Sequence, residues 1–168
     1  RQEALRGALN AMDAPIGPSP APGILTYPTA DAKTSAVSKA FTDLATKHSG
    51  SDEASVAEYY LGVMALDSGK VDEAVKQLNA AAQSGDQDYS SLAKLSLADL
   101  YASQGKTADA EKLLRGLLDR PTALVSKEQA AIQLAKVIAP GKPDEARKLL
   151  EPLRSAPGAV GRAAMTAY

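Results

Sequence analysis

Three Gly-Lys dipeptides are the residues of this chain that most invite a chemical reading: Gly69-Lys70, Gly105-Lys106 and Gly141-Lys142. A glycine that lets backbone N–H groups converge, followed by a lysine, is half of a phosphate cradle. The other half, a Gly-rich run before the dipeptide, is missing in GKVDEA, GKTADA and GKPDEA alike. Carboxylate pairs come next, for acid–base work: Asp52-Glu53, Asp72-Glu73 and Asp144-Glu145. Neighbours on a helix point apart and cannot share one substrate atom, so these pairs read as solvated first turns. His48 is the only histidine, and Cys is absent. No hydrolytic triad, thiol chemistry or metal cage follows from that set. His48 reads as a helix C-terminal residue, favoured there by the helix dipole. The expectation is a protein that is not an enzyme, with no catalytic, metal or cofactor-binding residue and no cofactor.

The dipeptides carry meaning through their spacing. GKVDEAVKQL at 69–78 returns as GKTADAEKLL at 105–114 and GKPDEARKLL at 141–150, 36 residues apart each time. Self-similarity near a period of about 34 is the mark of a helix–turn–helix repeat. Upstream segments keep step: VAEYYLGVMALDS at 56–68, LAKLSLADLYASQ at 92–104, EQAAIQLAKVIAP at 128–140. Each unit is helix A, a Gly turn, then helix B. The fold class expected is all-α, a right-handed α-solenoid without strands.

In chain order, residues 1–12 read as a short amphipathic helix, with Ala4, Leu5, Ala8, Leu9 and Met12 on one face. Residues 13–31 hold Pro15, Pro18, Pro20, Pro22 and Pro28, and read as a Pro-rich tether pinned to the body by its ILTY stretch. The solenoid then spans 32–168: a half-repeat at 32–50 lacking its first helix, repeats at 55–88, 90–121 and 126–156, and a partial helix at 158–168. Ser90 or Ser91 is a candidate cap for the second repeat, and Ser126 with Gln129 has capping-box spacing for the third. Pro143 suits a first turn, whereas Pro152 should kink or end its helix. Tyr168 falls in the register of Tyr60.

With 19 basic and 20 acidic residues the net charge is −1, which argues against a nucleic-acid partner. Nothing points to a small-molecule substrate. No run of about 18 apolar residues is present, so a membrane is expected only through a segment upstream of Arg1. A start at Arg1 rather than Met suggests a processed or partial chain.

The repeat resembles the tetratricopeptide repeat. Leu61-Gly62, Gly69, Ala74, Leu78 and Ala81 match that pattern, as do Leu97-Ala98, Tyr101, Gly105, Ala110 and Leu114, and then Gly141, Ala146 and Leu150. Small residues at 74, 110 and 146 suit the close crossing of helices A and B. Glu58 and Lys94 stand where that family has a large apolar residue, and Tyr59 and Tyr60 are expected to supply the packing. Tether, half-repeat AVSKAFTDLATKHSGS and AEYYLG together are similar to bacterial membrane-anchored proteins of the YfgM type. That resemblance implies an ancillary translocon subunit with a periplasmic repeat domain contacting chaperones and secreted chains. The same layout resembles envelope repeat proteins of cell division and outer-membrane assembly. Some tetratricopeptide proteins clamp a C-terminal carboxylate with Lys and Asn. Here Tyr59, Val63, Ser96, Glu128 and Ile132 occupy those positions, so the clamp is absent.

Two functions from different classes follow. The first is a protein- or peptide-binding module, chaperone-like or adaptor-like, on the periplasmic side of a bacterial envelope or, alternatively, in the cytoplasm. Its stripe would be Val56, Tyr59, Val63 and Leu66, then Leu92, Leu95 and Asp99, then Ala131 and Ala135, lining the inner surface of the superhelix. The second is a structural scaffold, a spacer or homo-oligomer subunit.

Overall fold

A computed structural model describes residues 1–167. The equivalence of Tyr168 with Tyr60 lies outside the described residues. Among these the chain forms nine helices: α1 Gln2–Asp13, α2 Ala30–Lys47, α3 Asp52–Asp67, α4 Val71–Ala82, α5 Gln87–Ser103, α6 Thr107–Asp119, α7 Lys127–Ile138, α8 Pro143–Arg154 and α9 Ala159–Thr166. The one β feature is an isolated parallel bridge between Ile16 and Tyr27. The helices group into two compact units, Arg1–Asp86 and a second from Gln87 onward.

Three of the described helices start on a side-chain oxygen. Thr29, Ser51 and Ser126 each accept from the backbone N–H three residues on, at 3.1–3.2 Å, satisfying a donor that the helix itself leaves free. Ser90 and Ser91 do not cap: α5 starts earlier, at Gln87, and both serines are buried within it. The Ser91 hydroxyl donates to Asp88 O at 2.7 Å and meets Thr122 Oγ1 at 2.7 Å, tying α5 to the loop before α7. Pro143 opens α8 at its first turn. The helix runs through Pro152 and ends at Arg154, because a proline in the last turn removes only one bond.

The Gly turns explain the repeat. Gly69 and Gly105 take φ of 70° and 74°, a left-handed conformation costly to any residue with a Cβ. That bend lets Lys70 N reach Ala65 O and Lys106 N reach Tyr101 O, both at 2.8 Å. Ala74, Ala110 and Ala146 are fully enclosed where helices A and B cross. Gly62 marks the same crossing in α3: a Cβ there would lie 2.6 Å from Leu78 Cγ.

Three expectations are corrected. The third turn closes differently. Gly141 is not left-handed, and Lys142 N bonds to Ile138 O, four residues back rather than five. The half-repeat does not lack a first helix. In the first unit α1 packs on α2 and α3 through a cluster of Ala8, Ala11, Val37, Phe41, Leu44 and Ala57, so α1 occupies a helix A position. The tether is only partly pinned: Tyr27 joins that cluster, while Ile24 and Leu25 remain about half exposed. Two backbone bonds, Gly17 N to Tyr27 O at 2.8 Å and Tyr27 N to Pro15 O at 3.1 Å, close the segment into a loop on itself. No described helix is long and apolar enough to cross a membrane.

Candidate functional site

In the first unit, α3 carries Val56, Tyr59, Val63 and Leu66. Val56 is buried, and the other three are half-buried. None of the four belongs to the cluster that α1 and α2 build around Phe41. Tyr60 does: its ring stacks on Phe41 with centroids 5.1 Å apart, and Tyr59 meets Tyr60 edge-on at 5.5 Å. The tyrosine pair thus supplies the packing expected of it. Glu58 is half-buried, and that burial raises its carboxyl above the usual range. Helix α1 and the loop 15–27 leave the α3 stripe outside the cluster they help to form.

In the second unit, an open cavity of about 450 Å³ lies among α5, α7 and α9. Leu95, Ile132, Val160 and Ala163 form its apolar wall. Asp99, Ser126, Gln129 and Gln133 bring the polar atoms. Its size falls in the ~300–1,000 Å³ range of ordinary binding clefts. Of the stripe residues, Leu95 and Asp99 both line this cavity. Leu92 is half-buried against the core.

Ala131 and Ala135 sit elsewhere. They are 6% and 0% exposed, so Ala135 offers a partner no surface. The cause is the third turn. Because it consumes one residue fewer, α7 is displaced by one position relative to α5, and Leu95 corresponds to Ile132 rather than Ala131. Burial agrees along the helix: Ala93, Leu97 and Ala98 pair with Ala130, Leu134 and Ala135, all at most 1% exposed. The groove residues missed were Ser126, Gln129, Ile132 and Gln133 around α7 and Ala159, Val160 and Ala163 on α9. A usable sign was present: LSLADL at 95–100 aligns with IQLAKV at 132–137, one residue out of step with the Gly-Lys turns.

Among the described residues, Asp99 is the only charged one in the lining. Its Oδ1 accepts from Gln133 Nε2 at 2.6 Å. Asp99 is exposed, and the apolar wall beside it desolvates its carboxyl enough to push it above the usual aspartate range, opposed by the Gln133 hydrogen bond and the Lys136 charge. On α6 and α8 an ion network is built: Glu111 Oε1 accepts from Arg115 and Lys142, each at 2.7 Å, and Arg115 also reaches Glu145 at 2.6 Å. It staples successive B helices. The residues that invited catalytic readings are helix ends: Asp52, Asp72 and Asp144 are exposed in first turns, and His48 is the C-cap of α2.

Comparison with curated proteins and with solved structures finds no match. A family model, the tetratricopeptide repeat-like domain, matches residues 25–148. Repeats of this kind are generally non-catalytic and serve as protein-interaction modules. The helix–turn–helix units, the left-handed turns at Gly69 and Gly105, the enclosed alanines at each crossing and this match lead to one statement: the chain belongs to the tetratricopeptide repeat-like domain family.

Proposed function

We propose that this protein is an adaptor that binds an amphipathic helix of a protein partner in the groove between α5, α7 and α9. The observation that carries the proposal is the open 450 Å³ cavity with an apolar wall of Leu95, Ile132, Val160 and Ala163. A helix is favoured over an extended segment for a reason of hydrogen bonding. The walls are themselves helices, whose mid-helix backbone donors and acceptors are already paired, and Asp99 Oδ1 is taken by Gln133. An extended ligand would find partners only at the polar rim of Asp99, Ser126, Gln129 and Gln133, and each backbone N–H or C=O buried against the apolar wall would cost about 1–3 kcal/mol. A helix brings its own bonds and needs only an apolar face. The resemblance of the segment before α3 and of AEYYLG to envelope repeat proteins supports a place on the periplasmic side of a bacterial envelope.

The test is titration with a synthetic amphipathic helical peptide by fluorescence anisotropy. Binding on the order of micromolar is expected, weak enough to release a client. Ala163→Trp should fill the groove and remove binding with the melting temperature held. Gln129→Trp, at an exposed position on α7, checks the result from a second wall. Unchanged affinity in both variants, or no binding at all, overturns the proposal and leaves the scaffold role.

A further inference from the structure

We infer that the groove selects a helix carrying a basic residue on its apolar face, and that Asp99 is the group that pairs with it. This rests on the helix-binding role above and narrows it to a ligand chemistry. Among the described residues, Asp99 is the one charge lining the cavity, set beside Leu95 on α5 and facing Ile132 and Gln133 on α7. Gln133 Nε2 holds Oδ1 at 2.6 Å and so fixes the carboxylate plane. Oδ2 has no hydrogen-bond partner among the described residues. Lys136 is near enough to act on Asp99 electrostatically, yet no ion pair joins them among the described residues. The carboxylate is thus oriented by a neutral amide and left with one oxygen to offer.

The consequence is discrimination in both directions. A wholly apolar helix would strip water from Oδ2 and return nothing, and a desolvated unpaired charge is expensive. A lysine or arginine at that point restores the lost hydrogen bond as a charge-assisted one, the stronger kind. An acidic residue there would face like charge in an apolar cleft. Specificity therefore comes as much from what Asp99 rejects as from what it binds.

Three synthetic peptides test this: one amphipathic helix differing at a single apolar-face position, with lysine, norleucine or glutamate. Norleucine keeps the lysine stem and removes the charge. The lysine peptide should bind about tenfold tighter than the norleucine peptide, the glutamate peptide weakest. Asp99→Asn keeps an acceptor for Gln133 and should lower lysine-peptide affinity about tenfold while leaving norleucine-peptide affinity equal or higher. In high salt the lysine preference should shrink. If norleucine and lysine peptides bind equally, or Asp99→Asn weakens both alike, the charge pairing is wrong and helix binding stands. If none of the three peptides binds the folded wild type, both ideas fall together.

Discussion

Replacing Gly62 by alanine sets two known effects against each other in one crossing. Alanine is favoured over glycine inside a helix by about 1 kcal/mol. Here the new methyl would stand 2.6 Å from Leu78 Cγ, 2.8 Å from Leu78 Cδ2 and 3.3 Å from the Leu78 backbone N. Carbon pairs rest at ~3.5–4.0 Å, so roughly 1 Å must be found. Leu78 is fully enclosed, and its Cγ lies only two bonds from the backbone, so α4 itself has to move. Overpacking of that kind costs about 1–3 kcal/mol. The net for Gly62→Ala is a loss on the order of 1 kcal/mol. Gly116, exposed within α6, has nothing within 4 Å of where a methyl would stand, so Gly116→Ala should gain about 1 kcal/mol. The assay is denaturant unfolding of the two variants beside wild type. The decisive quantity is the gap between them, about 1–3 kcal/mol and of opposite sign about wild type. In a Leu78→Ala background the Gly62 change should turn favourable, since the two closest atoms are gone and only the backbone N at 3.3 Å remains. If Gly62→Ala stabilises as much as Gly116→Ala, helices α3 and α4 do not cross this closely and the reasoning is refuted.

Ala110→Leu should cost roughly 1–3 kcal/mol for the same reason at the α5–α6 crossing, read as a lowered melting temperature. Glu111 is held below the usual carboxylate range by its hydrogen bonds to Lys142 and Arg115. Its contribution is therefore present above the unfolded carboxylate range and lost as pH falls through the folded value. Glu111→Gln should lower the melting temperature at pH ~7, with the gap closing in acid and in about 1 M salt. Asp99 has the opposite sign: its carboxyl is raised by burial, so ionisation disfavours the folded state as pH climbs through the folded value. Asp99→Asn should melt higher than wild type at neutral pH and no differently well below pH ~3.9, where both states hold the proton.

The Gly-Lys turns and their 36-residue spacing made the helix pairs legible, because a left-handed turn needs glycine and repeats need a fixed stride. What they concealed was how many residues a turn consumes. Identical letters at Gly105 and Gly141 adopt different backbone signs, and α7 slips by one position in consequence. A one-residue slip rotates a helix by about 100°, enough to trade Ala131 for Ile132 on the groove. The first helix was legible at 1–12, but its pairing with α2 was hidden for another reason. Repeat detection relies on constant spacing, and the loop 14–29 puts α1 out of step with α2 even though the two pack together. Val160 and Ala163 belong to a helix whose B partner does not follow within the described residues, so no further Gly-Lys turn pointed to them.

The loop between α1 and α2 has a practical meaning for the chain's length. Its ends are stitched by the Gly17–Tyr27 and Tyr27–Pro15 backbone bonds, and its tip, 18–25, is exposed throughout. Closure entropy grows only with the logarithm of loop length, about 0.6 kcal/mol for each doubling. With the base already fastened, residues added between Pro20 and Gly23 lengthen a solvent-exposed excursion without moving α1 from α2. The molecule therefore carries a port where a tag, a fluorophore or a whole folded module can be spliced into the middle of the chain while every helix keeps its neighbours.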